Sequence, residues 1–299
     1  MNAHLNSRKT LIIAALLLGV TFFAELFGGI IFGSLSLLSD SFHVLSDLTS
    51  ILVVFASLTL AVRKRPTQQM AFGYHRLEVI SALFNGLLLS VVAAFILIEA
   101  WKRYQNPLEI QTTGALTVGI IGLIVNIIIA AFFQRSTDDI KKDVNIQSAY
   151  YHIIGDILAS VSVVVGITAI KIFDQPAIDP IVAAFISIII LTSAGRVLYK
   201  SSEILLHKSP QDIDRVCERV LKVQGVEDFI DVRLWQVCSH LTVGTAHVVV
   251  SVQTIQETER IKQKIKSIIR EEFDIRDITL ECETPDMSNR HHHSFQHEH

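Results

Sequence analysis

The chain has 299 residues, of which 50% are hydrophobic and only 18% are charged, and its mean hydropathy is +0.45. This composition excludes an ordinary soluble protein and indicates a membrane protein with several spans and a soluble portion. The formal net charge of -3 decides little, because membrane proteins segregate charge instead of averaging it. All three cysteines lie in the C-terminal third, and their odd number predicts a reducing compartment there without a disulfide framework.

Six apolar segments predict six transmembrane helices, since each is close to the roughly 20 residues that cross a bilayer. They cover residues 10–33, 35–62, 77–101, 112–133, 145–173 and 179–199. Six spans place both termini on one side of the membrane. The arginines and lysines near the span ends are concentrated on that side, which predicts cytoplasmic termini in a cell membrane, inner or plasma.

The polar C-terminal third predicts a small α+β domain. Ser209-Pro210 is typical of a helix start, and Thr254 with Glu257 forms a capping-box pattern before a second helix. Between and after them lie three segments that predict strands, at 229–237, 241–252 and 275–281.

The order α-β-β-α-β predicts two helices on one face of a three-stranded sheet. The first helix would bury Ile213, Val216 and Val220, and the second Ile261, Ile265, Ile268 and Phe273. A domain of roughly 80 residues has only a small hydrophobic core, which favours pairing with a second copy. The expected division is a transport domain at 1–206, a cytoplasmic domain at 207–285 and a disordered histidine-rich tail at 286–299.

The most specific chemical pattern is a histidine four residues before an aspartate, and it occurs in two predicted spans. His43 and Asp47 lie in the second span, and His152 and Asp156 lie in the fifth. A separation of four residues turns a helix by about 40°, so each pair projects from one helix face. Two such helices side by side would offer two imidazoles and two carboxylates to one tetrahedral divalent cation, zinc before others.

A structural alternative is that each histidine and aspartate simply pair to hold helices together. Ionisable groups at bilayer depth cost about 3 kcal/mol or more, and pairing does not require the same spacing on both helices. A bound cation explains the repetition better. Asp40 lies one turn before His43 and is expected to guide ions or orient a ligand rather than to bind metal directly.

The ligand types predict a mechanism, because histidine and aspartate must lose protons to bind metal and protons therefore compete with the cation. We expect secondary transport of zinc out of the cytoplasm as protons enter. A channel is an alternative with flux that does not depend on a pH gradient, and a membrane-anchored metal sensor or scaffold is another. An enzyme is not expected, since no nucleophile elbow, P-loop or metalloprotease motif occurs. No nucleic-acid partner is expected.

The motifs together resemble those of the cation diffusion facilitator family, a resemblance that extends from the first span to Pro285. It rests on the residues at 24–26, 33–40, 43–47, 72–78, 126, 151–156, 179–180 and 245–249. The resemblance implies a six-span exporter of zinc in exchange for protons, with a metallochaperone-like (ferredoxin-like) cytoplasmic domain and a homodimeric assembly. It also implies that the histidine and aspartate set on spans two and five is the transport site.

Some members of this family carry further metal sites, and this chain has possible metal ligands at only some of the matching positions. In the loop between spans two and three, His75 is the one clear ligand, with Tyr74 beside it. The cytoplasmic domain offers five possible ligands, namely His240, His247, Glu281, Cys282 and Glu283. Separately, Arg76 is expected to act as a hinge by pairing with Glu203 or Asp212.

Overall fold

The computed structural model describes residues 2–63, 70–135, 144–251 and 254–285. Side chains are described for the same residues apart from 2–11, 54–63, 132–135 and 144–153. Within this part of the chain, the helices and strands follow one another as α1 (Asn2–Phe32), α2 (Leu35–Arg63), α3 (Arg76–Gln105), α4 (Thr112–Arg135), α5 (Val144–Phe173), α6 (Ile178–Leu205), α7 (Ile213–Val220), β1 (Val226–Cys238), β2 (Leu241–Val250), α8 (Ile255–Phe273) and β3 (Asp277–Glu283).

The first six helices confirm the predicted helical membrane domain. Five segments of the described residues are long and apolar enough to cross a bilayer: Ile12–Phe32, Arg76–Gln105, Thr112–Ala131, Ile154–Phe173 and Ile178–Leu205. Helix α2 is not among them. Its described side chains end at Val53, and in that part Asp40, His43 and Asp47 lower the hydropathy. Its 29 residues would nevertheless extend over about 43 Å, which is enough to cross the bilayer.

The chain divides into two compact units, and each is described by itself. In the described part of the chain, the first unit contains residues 2–63 and 81–199, and the second contains residues 70–80 and 200–285. The start of α3 and the end of α6 thus belong to the second unit. The segment that precedes α3 also belongs to it.

Within the first unit, α1 and α2 form a tight helical hairpin. Gly33 adopts a positive φ of 74° at the turn, a conformation that side chains other than glycine rarely tolerate. One turn earlier, a Cβ on Gly29 would lie only 2.9 Å from the backbone nitrogen of Leu38. Close contact of the two helix backbones therefore depends on glycine, as is common in membrane helices.

The first turn of α2 is capped by a side chain from α6. The Asp179 carboxylate accepts hydrogen bonds from the backbone N–H of Leu35 at 2.6 Å and of Ser36 at 3.1 Å. It also accepts from the hydroxyls of Ser34 at 2.8 Å and Ser36 at 2.6 Å. Helix N-terminal N–H groups have no partner within their own helix, and their partial positive charge favours an anion. Asp179 is 1% exposed, so this buried carboxylate fixes the start of α2 against α6.

The second unit confirms the predicted order of two helices and three strands. In the sheet β1 pairs antiparallel with β2, and β2 pairs parallel with β3. Helices α7 and α8 pack against the sheet, with Val216, Ile265 and Val248 buried in the shared core. Thr254 caps α8 by accepting a bond from the N–H of Glu257, as the capping-box pattern predicted.

Several local details differ from the sequence predictions. The strand β1 begins at Val226 and β3 covers Asp277–Glu283, where strands at 229–237 and 275–281 were predicted. The N-cap of α7 is Asp212 and not Ser209, because the Asp212 carboxylate accepts the N–H of Asp214 whereas the Ser209 hydroxyl bonds to Gln211. In α8 the buried residue is Ile269, and Ile268 is only partly buried. Ile269 follows Ile265 by four residues and stays on the helix face that packs against the core. Ile268 follows it by three residues and lies at the edge of that face.

We predict that Asp179→Asn lowers the free energy of unfolding by about 2 kcal/mol or more. The asparagine NH₂ group would replace one accepting oxygen and would face N–H and O–H groups that need an acceptor. Thermal denaturation of the purified full-length protein in detergent measures this change. Asp174→Asn is the matched control, since Asp174 is exposed just after α5 and asparagine tolerates its positive φ of 51°. Equal stability of the two variants would contradict the proposed cap.

Candidate metal centre

Helices α2 and α5 bring three of the four predicted transport-site residues together. His43 Nε2 lies 3.1 Å from Asp156 Oδ1. One ligand atom from each of His43, Asp47 and Asp156 lies within 4.8 Å of the other two. His43 and Asp47 come from one face of α2, and Asp156 comes from the neighbouring face of α5.

The fourth predicted residue, His152, belongs to α5, but its side chain lies outside the described side chains. Its place in the helix is one turn before Asp156. The helical repeat therefore puts both residues on the same face of α5. His152 stays a predicted member of the set.

The separations and donor atoms suit a small divalent cation. Two ligands of tetrahedral zinc, each roughly 2.0–2.2 Å from the ion, are about 3.3 Å apart, close to the 3.1 Å between His43 and Asp156. The His43 side chain is 8% exposed and that of Asp156 is 19% exposed. Two aspartates close together in a partly enclosed setting favour a positive charge beside them, and a bound cation would supply it. Nitrogen and oxygen donors without sulfur favour zinc over cuprous ion.

A chain of buried hydrogen bonds leads from α4 to Asp40. Asn126 Nδ2 donates to Ser160 Oγ at 2.8 Å, and Ser160 Oγ donates to Asp40 Oδ2 at 3.1 Å. Asp40 is 1% exposed and does not belong to the group of three ligands. The sequence signalled Asn126 as the one strongly polar interior residue of the fourth span. It gave no signal for Ser160, because serine is common in membrane helices.

Glu25 of α1 is a buried carboxylate in an otherwise apolar run, and it lies in the segment 24–26 on which the family resemblance partly rests. It is 1% exposed, and among the described residues neither of its carboxylate oxygens has a hydrogen-bond partner. It lies against α4, where a Cβ added to Gly122 would collide with Glu25 Oε1. Asp40 Oδ1 likewise has no described hydrogen-bond partner. Burying an unpartnered polar atom is costly, so a carboxylate of this kind points to a role beyond packing, such as holding a proton or an ion.

In the second unit, three of the five cytoplasmic candidates form one cluster. His247 Nδ1 lies 2.5 Å from Glu283 Oε1, and His247 Nε2 lies 3.8 Å from Glu281 Oε2. The parallel pairing of β2 with β3 places His247 opposite Glu281. Cys282 falls on the other face of β3, where it packs against the hydrophobic core and burial raises the pKa of its thiol.

The remaining candidates, His240 and His75, lie together beside a cysteine that the sequence analysis did not select. Cys238 Sγ lies 3.5 Å from His240 Nδ1 and 3.8 Å from His75 Nδ1. Burial raises the pKa of the Cys238 thiol. Arg76 Nη2 donates to His207 Nε2 at 2.9 Å, so its described contact is with a histidine and not with the expected Glu203 or Asp212.

Comparison with known proteins identifies the family. A family model described as the cation efflux transmembrane domain matches residues 11–206. A second, described as the cation efflux protein cytoplasmic domain, matches residues 209–285. The chain belongs to the cation diffusion facilitator family. It is thus a multi-pass membrane protein for cation efflux and not an enzyme.

The chain is similar to several bacterial relatives over most of its length. It is 34% identical to the "Cadmium, cobalt and zinc/H(+)-K(+) antiporter" of Bacillus subtilis, over 93% of this chain and 89% of the relative. It is 32% identical to the metal cation efflux system protein CzcD of Cupriavidus metallidurans, over 93% and 87%. It is 31% identical to the zinc transporter ZitB of Pectobacterium atrosepticum, over 93% and 86%.

We predict that Ser160→Ala lowers the rate of cation transport by about 10-fold, because Asp40 loses the hydroxyl that donates to it and its carboxylate is no longer oriented. Ser162→Ala is the matched control, since the Ser162 hydroxyl bonds to the carbonyl of Leu158 within α5. Zinc uptake into liposomes that contain each purified variant measures the effect. Equal rates for the two variants would show that Ser160 has no part in orienting Asp40.

Proposed function

We propose that this protein exports divalent cations, chiefly Zn²⁺, from the cytoplasm in exchange for protons. The transported ion would bind to His43, Asp47, His152 and Asp156. The observation that carries the proposal is the grouping of His43, Asp47 and Asp156 within the membrane unit by two separate helices. The names of the relatives support it, since they include cadmium, cobalt and zinc antiport and zinc transport.

Zinc is favoured by the chemistry of the ligands. The proposed set combines two imidazoles with two carboxylates and contains no sulfur, whereas magnesium and calcium prefer sites made of oxygen alone. Cobalt, cadmium, nickel, manganese and iron would compete for the same ligands, and the name of the Bacillus subtilis relative includes cadmium and cobalt as well as zinc. A site with two ligands on each of two helices can release its ion when the helices separate.

Proton exchange follows from the same ligands. Metal binding requires neutral histidine and ionised aspartate, so a proton bound at His43, Asp47, His152 or Asp156 excludes the ion. Protons supplied from outside would displace the metal there, and release of those protons to the cytoplasm would regenerate the site. The buried carboxylates of Asp40 and Glu25 offer further positions at which a proton can reside.

The proposal includes the arrangement of the chain in the membrane. Residues 1–206 would form the transport domain in the cell membrane, with both termini in the cytoplasm. Residues 207–285 would bind metal through His247, Glu281 and Glu283 and would pair two copies into a homodimer. The contacts of His247 with the two glutamates support the metal ligands, and the match to the cytoplasmic domain of cation efflux proteins supports the assignment of this region.

We expect zinc transport by the purified protein in liposomes to increase at least about 10-fold when a pH gradient is imposed, because each exported ion requires protons to move the other way. A fluorescent zinc indicator and a pH indicator enclosed in the same vesicles would report both fluxes. Zinc flux that is the same with and without the gradient would contradict exchange and favour a channel.

We expect Asp47→Asn and Asp156→Asn each to reduce zinc transport by at least about 100-fold, because each removes one anionic ligand while keeping the size of the side chain. The exposed Asp174→Asn variant is the matched control and should transport as the wild type does. Wild-type transport by both ligand variants would overturn the assignment of the site.

We expect the protein in detergent to have twice its chain mass of 33.3 kDa, since the small core of the cytoplasmic domain favours a second copy. Light scattering coupled to size-exclusion chromatography, corrected for bound detergent, measures this mass. A monomer that retains zinc transport would contradict the homodimer.

A further inference from the structure

A second group of metal-binding side chains lies outside the membrane helices, entirely within the second unit. It consists of His75, directly before α3, together with Cys238 and His240 at the turn between β1 and β2. One ligand atom from each residue lies within 4.8 Å of the other two. Among the described residues, this group and the one around His43 are the two that have this geometry.

The separations are those of ligands around one zinc-like ion. With zinc roughly 2.3 Å from sulfur and 2.0–2.1 Å from nitrogen, a tetrahedral site places sulfur and nitrogen about 3.6 Å apart. Cys238 Sγ lies 3.8 Å from His75 Nδ1 and 3.6 Å from His240 Nε2. The two imidazole rings meet edge to face with centroids 5.6 Å apart, so their nitrogens can approach the thiol from different sides.

Glu78 supports this arrangement from the first turn of α3. Its Oε2 lies 3.7 Å from His240 Nδ1, which leaves His240 Nε2 as the nitrogen for a metal. Its other oxygen, Oε1, accepts a hydrogen bond from the Ser239 hydroxyl. A carboxylate beside the second nitrogen of a metal-binding histidine is a common arrangement, because it fixes the tautomer and the ring orientation.

The thiol of Cys238 packs against apolar side chains on one side, and the exposed His240 lies on the side that solvent can reach. Cys238 is fully buried and packs with Val79, Ile204 and Leu241. The His240 side chain is 52% exposed, so an ion can reach the group through that imidazole. Packing against these apolar side chains limits movement of the sulfur, while the exposed imidazole of His240 can turn toward the ion.

We propose that His75, Cys238 and His240 bind a divalent metal ion of the zinc, cadmium or cobalt class. Glu78 orients His240, and a solvent molecule completes the shell. The thiolate distinguishes this site from the sulfur-free set around His43, because sulfur favours soft and borderline cations. The bound ion ties the residue that precedes α3 to the β1–β2 turn. The remainder of α3 belongs to the membrane unit, so a shift of its first turn on metal binding would pass along the helix into that unit.

Cobalt is the probe for this site, because a Co²⁺–thiolate bond produces a charge-transfer band in the near ultraviolet that nitrogen and oxygen ligands do not produce. Co²⁺ is titrated into the purified full-length protein in detergent. We expect the amplitude of the band at saturation to correspond to one thiolate-bound ion per chain, since the other proposed sites contain no sulfur. It should persist when Cys217→Ser and Cys282→Ser are combined, and it should disappear in Cys238→Ser.

Variants of the histidines test the geometry without disturbing the buried cysteine. We expect His75→Asn and His240→Asn each to weaken Co²⁺ affinity, read from the charge-transfer band, by about 100-fold, and Glu78→Gln by about 10-fold. The exposed His240 makes its variant the least disruptive to the fold. Unchanged tryptophan fluorescence in the absence of metal would confirm that each variant is folded.

Two results would overturn the proposal. One is the absence of a thiolate band in the folded wild-type protein, and the other is a band that survives in Cys238→Ser. Zinc transport tests the proposed transport site independently of the band. Asp47→Asn should lose zinc transport while it keeps the Co²⁺–thiolate band. Loss of the band together with retained transport would remove this site and leave the transport proposal standing.

Discussion

The membrane unit depends on the cost of placing polar and charged groups where water is absent. Helix α2 carries three ionisable residues in its first half, Asp40, His43 and Asp47, and neighbouring helices provide partners for several of its polar groups. Asp179 of α6 accepts the N–H groups of its first turn, and Ser160 of α5 donates to Asp40. His43 contacts Asp156 of α5. Because each partner comes from a different position along α5 or α6, these contacts determine where α2 lies.

This arrangement would allow the proposed transport site to release its ion while the fold stays stable. The end of α2 near Asp179 is held by charged hydrogen bonds that metal binding does not use. The middle of the helix contributes His43 and Asp47 to a set whose other members lie on α5. A movement that separates α5 from the middle of α2 would open the proposed site without breaking the cap. Protons that neutralise the two aspartates would lower the cost of that opening.

The sequence predicted the features that repeat along the chain and missed those that depend on distant contacts. Apolar length predicted the membrane helices. The repeated spacing of histidine and aspartate predicted a group that includes His43, Asp47 and Asp156, which α2 and α5 bring together, while His152 stays a prediction. The cap formed by Asp179 joins residues 144 apart, and the contact of Cys238 with His75 joins residues 163 apart. No motif in the sequence marks either pair, because their members are far apart in the chain and only the fold brings them together. The start of α7 was misplaced because Ser209-Pro210 and Asp212 are both plausible caps in sequence.

The two proposed metal sites differ in their ligands, and the ligands decide whether an ion is released or retained. A transported ion must leave its site, which is easier when the ligands are carboxylates and imidazoles that protons can occupy. A thiolate binds zinc-like ions more strongly, and the buried, apolar support of Cys238 opposes its movement. An ion at His75, Cys238 and His240 would therefore stay bound while ions pass through the membrane set. In the proposed orientation, such an ion would report the cytoplasmic metal concentration to the start of α3, and a site with that role has no need of a path through the bilayer.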